Sequence, residues 1–381
     1  MKKSVLVVAG EASGDTLGGA IIAAWKKQKS FNKKNMDFWG YGGPQMEKVG
    51  VRTIRSVDEL ATIGFWEGLK KYRKLKGYAH DLANMCKEAG VKHAVLIDYP
   101  GFNLYLASLL KADNIEVYLV VSPQIWAWHY SRIHKIKKFV HSVLCLYKFE
   151  TAIFEKEGVN SHFIGHPVVD KIKEAQIKLK SKANKLKTKY KNRIRIAILP
   201  GSRISEIKRH LPFMLECARR FKSSHTDAEF FIPTPTDTID DLVHTYELPE
   251  YVHVYKADSH LILQSTSAAI ACSGTVTLEC SLFNLPFLLI YQTSFVTYHI
   301  AKRLIQGEYI GLVNIIGKKP ITKEFIQNDM KLEPVLEELD RLLTDKPYRK
   351  QMLANLREVN KNVISKNPAE KAAALLAKFS K

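Results

Sequence analysis

Two apolar runs that each break into a small-residue loop constrain this chain most. They are Val-Leu-Val-Val-Ala-Gly-Glu-Ala-Ser-Gly-Asp at 5–15 and Ile-Ala-Ile-Leu-Pro-Gly-Ser-Arg at 196–203. Each reads as a buried strand, a tight loop and the start of a helix. At such strand ends, backbone N–H groups and a helix N-terminus can hold a phosphate or a sugar oxygen. The two runs lie almost half the chain apart. The pattern predicts two doubly wound α/β domains, each opening with its first strand, and a ligand held between their loops.

The rest of the chain fits that frame. Strand-like runs at 4–9, 93–98, 116–122 and 142–147 alternate with helical stretches such as 16–28 and 103–112. The alternation restarts at 194–199, 229–233, 252–256, 268–272 and 286–291, and from Pro334 onward the pattern is helical and charge-rich. Strands alternating with helices imply parallel sheets covered on both faces. A length of 381 residues exceeds one ordinary core. The expected division is an N-terminal domain over 1–170, a basic connector over 171–195 and a second domain over 196–345.

The formal charge of +20 raises nucleic acid as a partner, but its distribution argues otherwise: residues 171–195 alone carry eleven Lys/Arg and one Glu. That segment has no aromatic interleaving apart from Tyr190 and reads as a solvated connector, with no recognised nucleic-acid motif beside it. A basic protein can also favour an anionic membrane surface. Five cysteines (Cys86, Cys145, Cys217, Cys272, Cys280) without a Cys-x-x-Cys pair argue against a disulfide framework and a zinc site, and for a reducing, cytoplasmic setting. Glu11 and Asp15 interrupt the N-terminal apolar run too early for a signal peptide. No stretch reaches the ~20 apolar residues of a spanning helix.

In the second half, Gly201 would let the backbone approach a ligand, Ser202 can bond an oxygen and Arg203 can pair with a diphosphate. A second apolar run ends in Ser273, Gly274 and Thr275, with Glu279 in the following helix. Either loop alone is equally a tight turn with a helix cap. Two of them at matching strand ends suit one nucleotide-diphosphate pocket.

In the first half, Gly10, Glu11, Ser13 and Asp15 do not form a dinucleotide fingerprint, and two acids suit a hydroxyl-rich ligand better than a pyrophosphate. Asp98 ends the run Ala-Val-Leu-Ile. A carboxylate at the carboxyl end of a buried strand has a raised pKa and is placed as a general base would be. The competing role is a cap on the helix beginning near Phe102. Ser-Pro-Gln-Ile-Trp-Ala-Trp at 122–128 offers paired Trp rings as core or as stacking platforms. His166 suits a hinge or a turn. Over 63–76, Phe65, Leu69 and Tyr72 recur at helical spacing with Ile63 and Trp66 beside them and cations on the flanks. This is an interfacial helix or an ordinary core-facing one. No Asp-x-Asp occurs, so the usual acidic anchor for a metal-bound sugar nucleotide is missing.

These phrases, in order, resemble the lipid-A-disaccharide synthase family of bacterial glycosyltransferases. The matching stretches are 9–15, Ile-Asp-Tyr-Pro-Gly-Phe-Asn (97–103), 122–128, Phe149 with Glu150, Gly-His-Pro (165–167), Leu-Pro-Gly-Ser-Arg (199–203), Ser-Gly-Thr-Val-Thr-Leu-Glu (273–279) and Leu-Val-Asn-Ile (312–315). The resemblance implies the B-type glycosyltransferase (GT-B) architecture, two Rossmann-like domains facing a cleft, with the helices of 346–381 crossing back to the first domain. It implies transfer of 2,3-diacylglucosamine from its UDP derivative to 2,3-diacylglucosamine 1-phosphate (lipid X), with no metal or cofactor. Asp98 would be the base on the acceptor 6-hydroxyl. Arg203, Ser273, Gly274, Thr275, Glu279, Asn314 and Gln327 would hold UDP, and Gly10, Glu11, Ser13 and Asp15 would frame the sugar.

Two departures stand out. Gly101 replaces the second acid of the family's Asp-x-Pro-Asp-Phe-Asn. The family's Pro-Glu-Leu-x-Gln becomes Lys323-Glu324-Phe325-Ile326-Gln327, keeping Glu324 and Gln327. Acylated substrates cannot cheaply leave a bilayer, so the implied enzyme works peripherally on the inner face of the bacterial inner membrane, with 63–76 as its contact. A homodimer is compatible with this reading. The alternatives are another sugar-nucleotide enzyme of the same architecture, either a peptidoglycan glycosyltransferase or a UDP-GlcNAc 2-epimerase.

Overall fold

Val5, Leu6, Val7, Val8 and Ala9 are all shut from water, as are Ile196, Ala197, Ile198 and Leu199. Continuous burial without alternation requires layers on both faces of a sheet, and parallel sheets follow from it. The computed structural model describes residues 3–28, 36–61, 68–127, 129–256, 259–294 and 308–379, with no side-chain description at 58, 61, 68–72 and 379. The chain divides into two units, Met1–Pro167 with Val363–Lys381, and Val168–Asn362.

The first unit holds β1 (Lys3–Ala9), β2 (Met36–Gly42), β3 (Arg52–Ser56), β4 (His93–Ile97), β5 (Glu116–Val120), β6 (Ser142–Cys145) and β7 (Ser161–Phe163). They form one sheet in the order β3-β2-β1-β4-β5-β6-β7. The second unit holds β8 (Ile194–Leu199), β9 (Ala228–Pro233), β10 (Val252–Tyr255), β11 (Ala268–Cys272), β12 (Phe287–Tyr291) and β13 (Glu324–Ile326). Their order is β10-β9-β8-β11-β12-β13. Every pairing is parallel, for example Ala9 beside Ile97 and Leu199 beside Ala271. Both sheets are therefore doubly wound, as the alternation implied, and strand order reverses beside the first strand of each, between β1 and β4 and between β8 and β11. Ligands of open α/β sheets bind at the carboxyl ends of strands flanking such a reversal.

The four strands missing from the sequence-based expectation are the ones with weak patterns. β2 contains Gly40 and Gly42, β3 reads Arg-Thr-Ile-Arg-Ser, and β7 and β13 are three residues long at sheet edges. Residues 171–195 are mostly helical, in Val168–Lys178 and Lys180–Lys189. Ile172, Ala175, Ala183 and Leu186 turn inward toward the helix Ser259–Ser265, and the lysines face solvent. The helix Pro368–Phe379 belongs to the first unit and packs on Ala12–Lys26 through buried Ala372, Ala373 and Leu376.

Residues Ile63, Phe65 and Trp66 lie outside the described residues, and Leu69 and Tyr72 have no described side chains. The helix Gly68–Glu88 that follows buries Ala79, Leu82, Ala83 and Cys86 in the first unit's core. Among the described residues no helix is long and apolar enough to cross a membrane.

Candidate active site

The chain leaves β4 through a sharp turn in which Asp98 and Tyr99 both take left-handed backbone conformations, at φ 55° and 47°. Two consecutive non-glycine residues of this kind cost about 1–3 kcal/mol each and persist only where the surroundings enforce them. Here the Asp98 N–H donates to the Val120 carbonyl at 2.8 Å, and the Asn103 side-chain amide donates to the Asp98 carbonyl at 2.6 Å. The turn thus aims the Asp98 side chain off the sheet edge. Its carboxylate accepts only the neighbouring Tyr99 N–H, at 2.9 Å, in the described hydrogen bonds. The helix Pro100–Ala112 starts directly after Tyr99 and has no side-chain cap. Helix capping therefore does not account for the Asp98 carboxylate. Burial raises its pKa, and the Tyr99 amide opposes that.

Beside it, at the end of β1, Gly10 makes room for the Tyr99 ring: a Cβ there would sit 2.3 Å from Tyr99 Cγ. The loop expected over 10–15 is shorter than the sequence suggested, because the helix Ala12–Lys26 begins immediately after Glu11. Glu11 and Ser13 are exposed on the same edge. Asp15 points inward, where its carboxylate accepts the N–H groups of Gly43 (2.9 Å), Gln45 (3.0 Å) and Met46 (3.0 Å).

The next strand ends carry an aromatic group. After β5 comes the 122–127 loop with Trp126, and after β6 come Tyr147, Phe149 and Glu150. After β7 comes His166, whose N–H donates to the Val363 carbonyl at 3.1 Å. Trp126 meets Phe149 edge-on at 5.3 Å, Phe149 stacks on Tyr147 at 5.8 Å, and Tyr147 meets His166 at 5.6 Å. Trp128 lies outside the described residues. Sequence reasoning assigned Glu150 no part, yet it is buried here and bonded to the Trp126 indole.

In the second unit, Gly201, Ser202 and Arg203 follow β8. The Glu206 carboxylate accepts the N–H groups of Ser202 (3.0 Å) and Arg203 (3.3 Å) and pairs with the exposed Arg203 guanidinium at 2.8 Å. His210 braces the loop from beneath, its ring lying 3.2 Å from the Pro200 carbonyl and accepting the Gln292 N–H at 3.0 Å. After β11, the Ser273 hydroxyl donates to the Ile310 carbonyl at 3.2 Å. The helix Thr275–Leu282 starts from Gly274 with no side-chain cap. Gly274 sits at φ 153°, and among the described residues nothing lies within 4 Å of a notional Cβ there. Glu279, one turn in, lies 3.5 Å from His260.

The last three predicted residues work within the unit. Asn314 is completely buried, accepting the Ile321 and Thr322 N–H groups and donating to the Thr322 carbonyl and to Glu324. Glu324 accepts the N–H groups of Ile310 (2.9 Å) and Gly311 (3.0 Å), which fills the positive end of the helix Leu312–Gly317 with the protein's own carboxylate. Gln327 pairs with both backbone groups of Thr293, at 2.9 and 3.2 Å. Among the described residues, the helix starts after β8 and at Leu312 each carry a carboxylate, and the one at Gly274 carries none. Among the described residues no group of three or more His, Cys, Asp or Glu side chains is gathered to hold a metal ion.

Comparison with known proteins bears on the fold and the family. A solved UDP-GlcNAc 2-epimerase from Neisseria meningitidis, bound to UDP-GlcNAc, has a similar fold at TM-score 0.58 and 11% identity, over 99% of this chain and 100% of its own. The lipid-A-disaccharide synthase of Coxiella burnetii is 32% identical over 377 residues, covering 98% of each chain. That of Trichlorobacter lovleyi is 34% identical over 363 residues, covering 93% of each. The model of the family described as lipid-A-disaccharide synthetase matches residues 5–377. Matched along nearly its whole length, this chain belongs to the lipid-A-disaccharide synthase family.

Proposed function

We propose that the chain transfers 2,3-diacylglucosamine from its UDP derivative to the 6-hydroxyl of 2,3-diacylglucosamine 1-phosphate, giving a β-1,6-linked disaccharide phosphate and UDP. One observation carries the proposal. Both strand-order reversals bear chemistry suited to a single displacement, a lightly bonded carboxylate on the first and an uncapped helix start beside an arginine on the second. Asp98 takes the proton from the acceptor hydroxyl as its oxygen forms a bond to the donor's anomeric carbon. The bond from that carbon to the diphosphate breaks, UDP leaves with the electron pair, and the configuration inverts. Asp98 suits this because burial raises its basicity while one hydrogen bond leaves acceptor capacity for the proton.

The diphosphate is assigned to the amides at 274–276, where the helix dipole favours anions. Arg203 exchanges its Glu206 contact for it, Ser202 and the 201 backbone flank it, and Glu279 has acceptor capacity left for ribose. Asn314, Glu324 and Gln327 serve the nucleotide by fastening the loops that line it. Gly10, Glu11 and Ser13 border the acceptor sugar, and Asp15 holds their turn. Residues 63–76 are assigned to the membrane surface on which both lipids reside.

The test is incubation with both acylated sugars, with and without the acceptor, followed by mass analysis. A disaccharide phosphate that needs both substrates supports the reading. Turnover of the donor alone to an isomer would replace it with an epimerase.

A further inference from the structure

We propose that Glu150 is a positioning residue that fixes the Trp126 indole as a wall of the sugar-binding site on the first unit. Glu150 stands in the first turn of the helix Lys148–Lys156, at the end of β6, and is 1% exposed. One carboxylate oxygen accepts the Tyr147 N–H at 3.1 Å. That bond alone is an ordinary helix cap, and an exposed glutamate would provide it as well. The other oxygen accepts the indole N–H of Trp126, at 3.0 Å, from the loop after the neighbouring strand. An isolated buried charge is costly, and a buried carboxylate is held in place by the groups bonded to it. The bond therefore ties the β5 loop to the β6 helix and sets the plane of a half-buried ring that stands at 70° to the Phe149 ring. β5 is the immediate neighbour of β4, which carries Asp98. Aromatic faces are apolar platforms with fixed geometry, and a ring locked on this edge suits the face of a pyranose or the start of an acyl chain. The inference rests on the transferase reading for the sugar's identity but not for the Glu150 and Trp126 coupling.

Burial pushes the Glu150 carboxyl up to about 7, against the neighbouring Ser122 hydroxyl, the Trp126 N–H and the Tyr147 and Leu146 amides. This makes the coupling visible in solution without any substrate. The Trp126 contribution to fluorescence is the difference between wild type and Trp126→Phe. It is expected to shift between pH 6 and 8 with a midpoint near that value. The same difference taken in a Glu150→Gln background is expected to be flat. A shift of equal size in both backgrounds overturns the coupling.

In the transferase assay, Glu150→Gln and Trp126→Phe are each expected to lower kcat/KM by roughly 10- to 100-fold, as misplaced binding groups do. The double variant should lose no more than Trp126→Phe alone. Losses that multiply would overturn the proposal, as would Glu150→Gln within twofold of wild type. If neither sugar is turned over by wild type, the fluorescence comparison still decides the coupling, and the failure belongs to the transferase reading.

Discussion

Asp98→Asn changes the carboxylate's chemistry with little change in shape. The amide oxygen can still accept the Tyr99 N–H, and the two left-handed residues are held by backbone bonds that the substitution leaves alone. Turnover is expected to fall about 10²- to 10⁴-fold, the range of a lost general base. UDP affinity by calorimetry and the melting temperature should hold. Near-normal turnover would remove the base assignment. Glu150 gives a different signal at the same scale. Its folded pKa of about 7 exceeds the usual 4.5, so between these values the folded chain keeps a proton that the unfolded chain has lost. Stability from this group is present below pH ~4.5, is lost as pH rises toward ~7, and is flat above, a change of at most ~3 kcal/mol. Urea unfolding of wild type and Glu150→Gln at pH 5, 6, 7 and 8 should show that slope in their difference. A difference independent of pH would mean that Glu150 is ionised throughout.

At the level of elements, Asp15 joins the helix Ala12–Lys26 to the turn before Pro44–Lys48 through three backbone amides. Asp15→Ala leaves those N–H groups without their acceptor, at an expected cost of about 3 kcal/mol. That corresponds to roughly 6–12 °C in the first unit's melting temperature, followed by calorimetry. A loss of donor or acceptor affinity with unchanged melting would instead put the carboxylate on the ligand. Asp15 also marks where sequence reasoning stops. Glu11 and Asp15 look alike in a loop of small residues, and only the helix starting at Ala12 turns one outward and the other in. The central strands were legible because both faces are covered and their residues run apolar without interruption. Strands β2, β3, β7 and β13 gave no such run. The strand-end positions of Asp98, Arg203 and Ser273 were legible because strand ends beside an order reversal are the exits of those apolar runs. The part Glu150 plays was not, since its partner lies 24 positions away and only the pairing of β5 with β6 brings them together.

For the whole molecule, the proposed reaction would require a chain without a spanning helix among its described residues to meet two lipids. The helices Val168–Lys178 and Lys180–Lys189 hold eight exposed lysines against Asp170 and Glu174, and Ile177 is 79% exposed among them. Lysines near an anionic bilayer contribute about 1 kcal/mol each, screened over roughly 8 Å at physiological salt. Binding to vesicles containing phosphatidylglycerol is therefore expected to be strong at 50 mM salt and at least tenfold weaker at 300 mM. Phosphatidylcholine vesicles should capture far less. Replacing Lys180, Lys182 and Lys185 by Gln should remove most of the salt-sensitive part and spare activity on substrates dispersed in detergent. Phe65 and Trp66 predict a second, salt-resistant part, removed by changing both to Ser. Sedimentation with the two vesicle types, repeated with a DNA duplex as competitor, separates these contributions. Equal capture by neutral and anionic vesicles would sink the electrostatic account. Displacement from the vesicles by DNA at physiological salt would turn the charge toward nucleic acid.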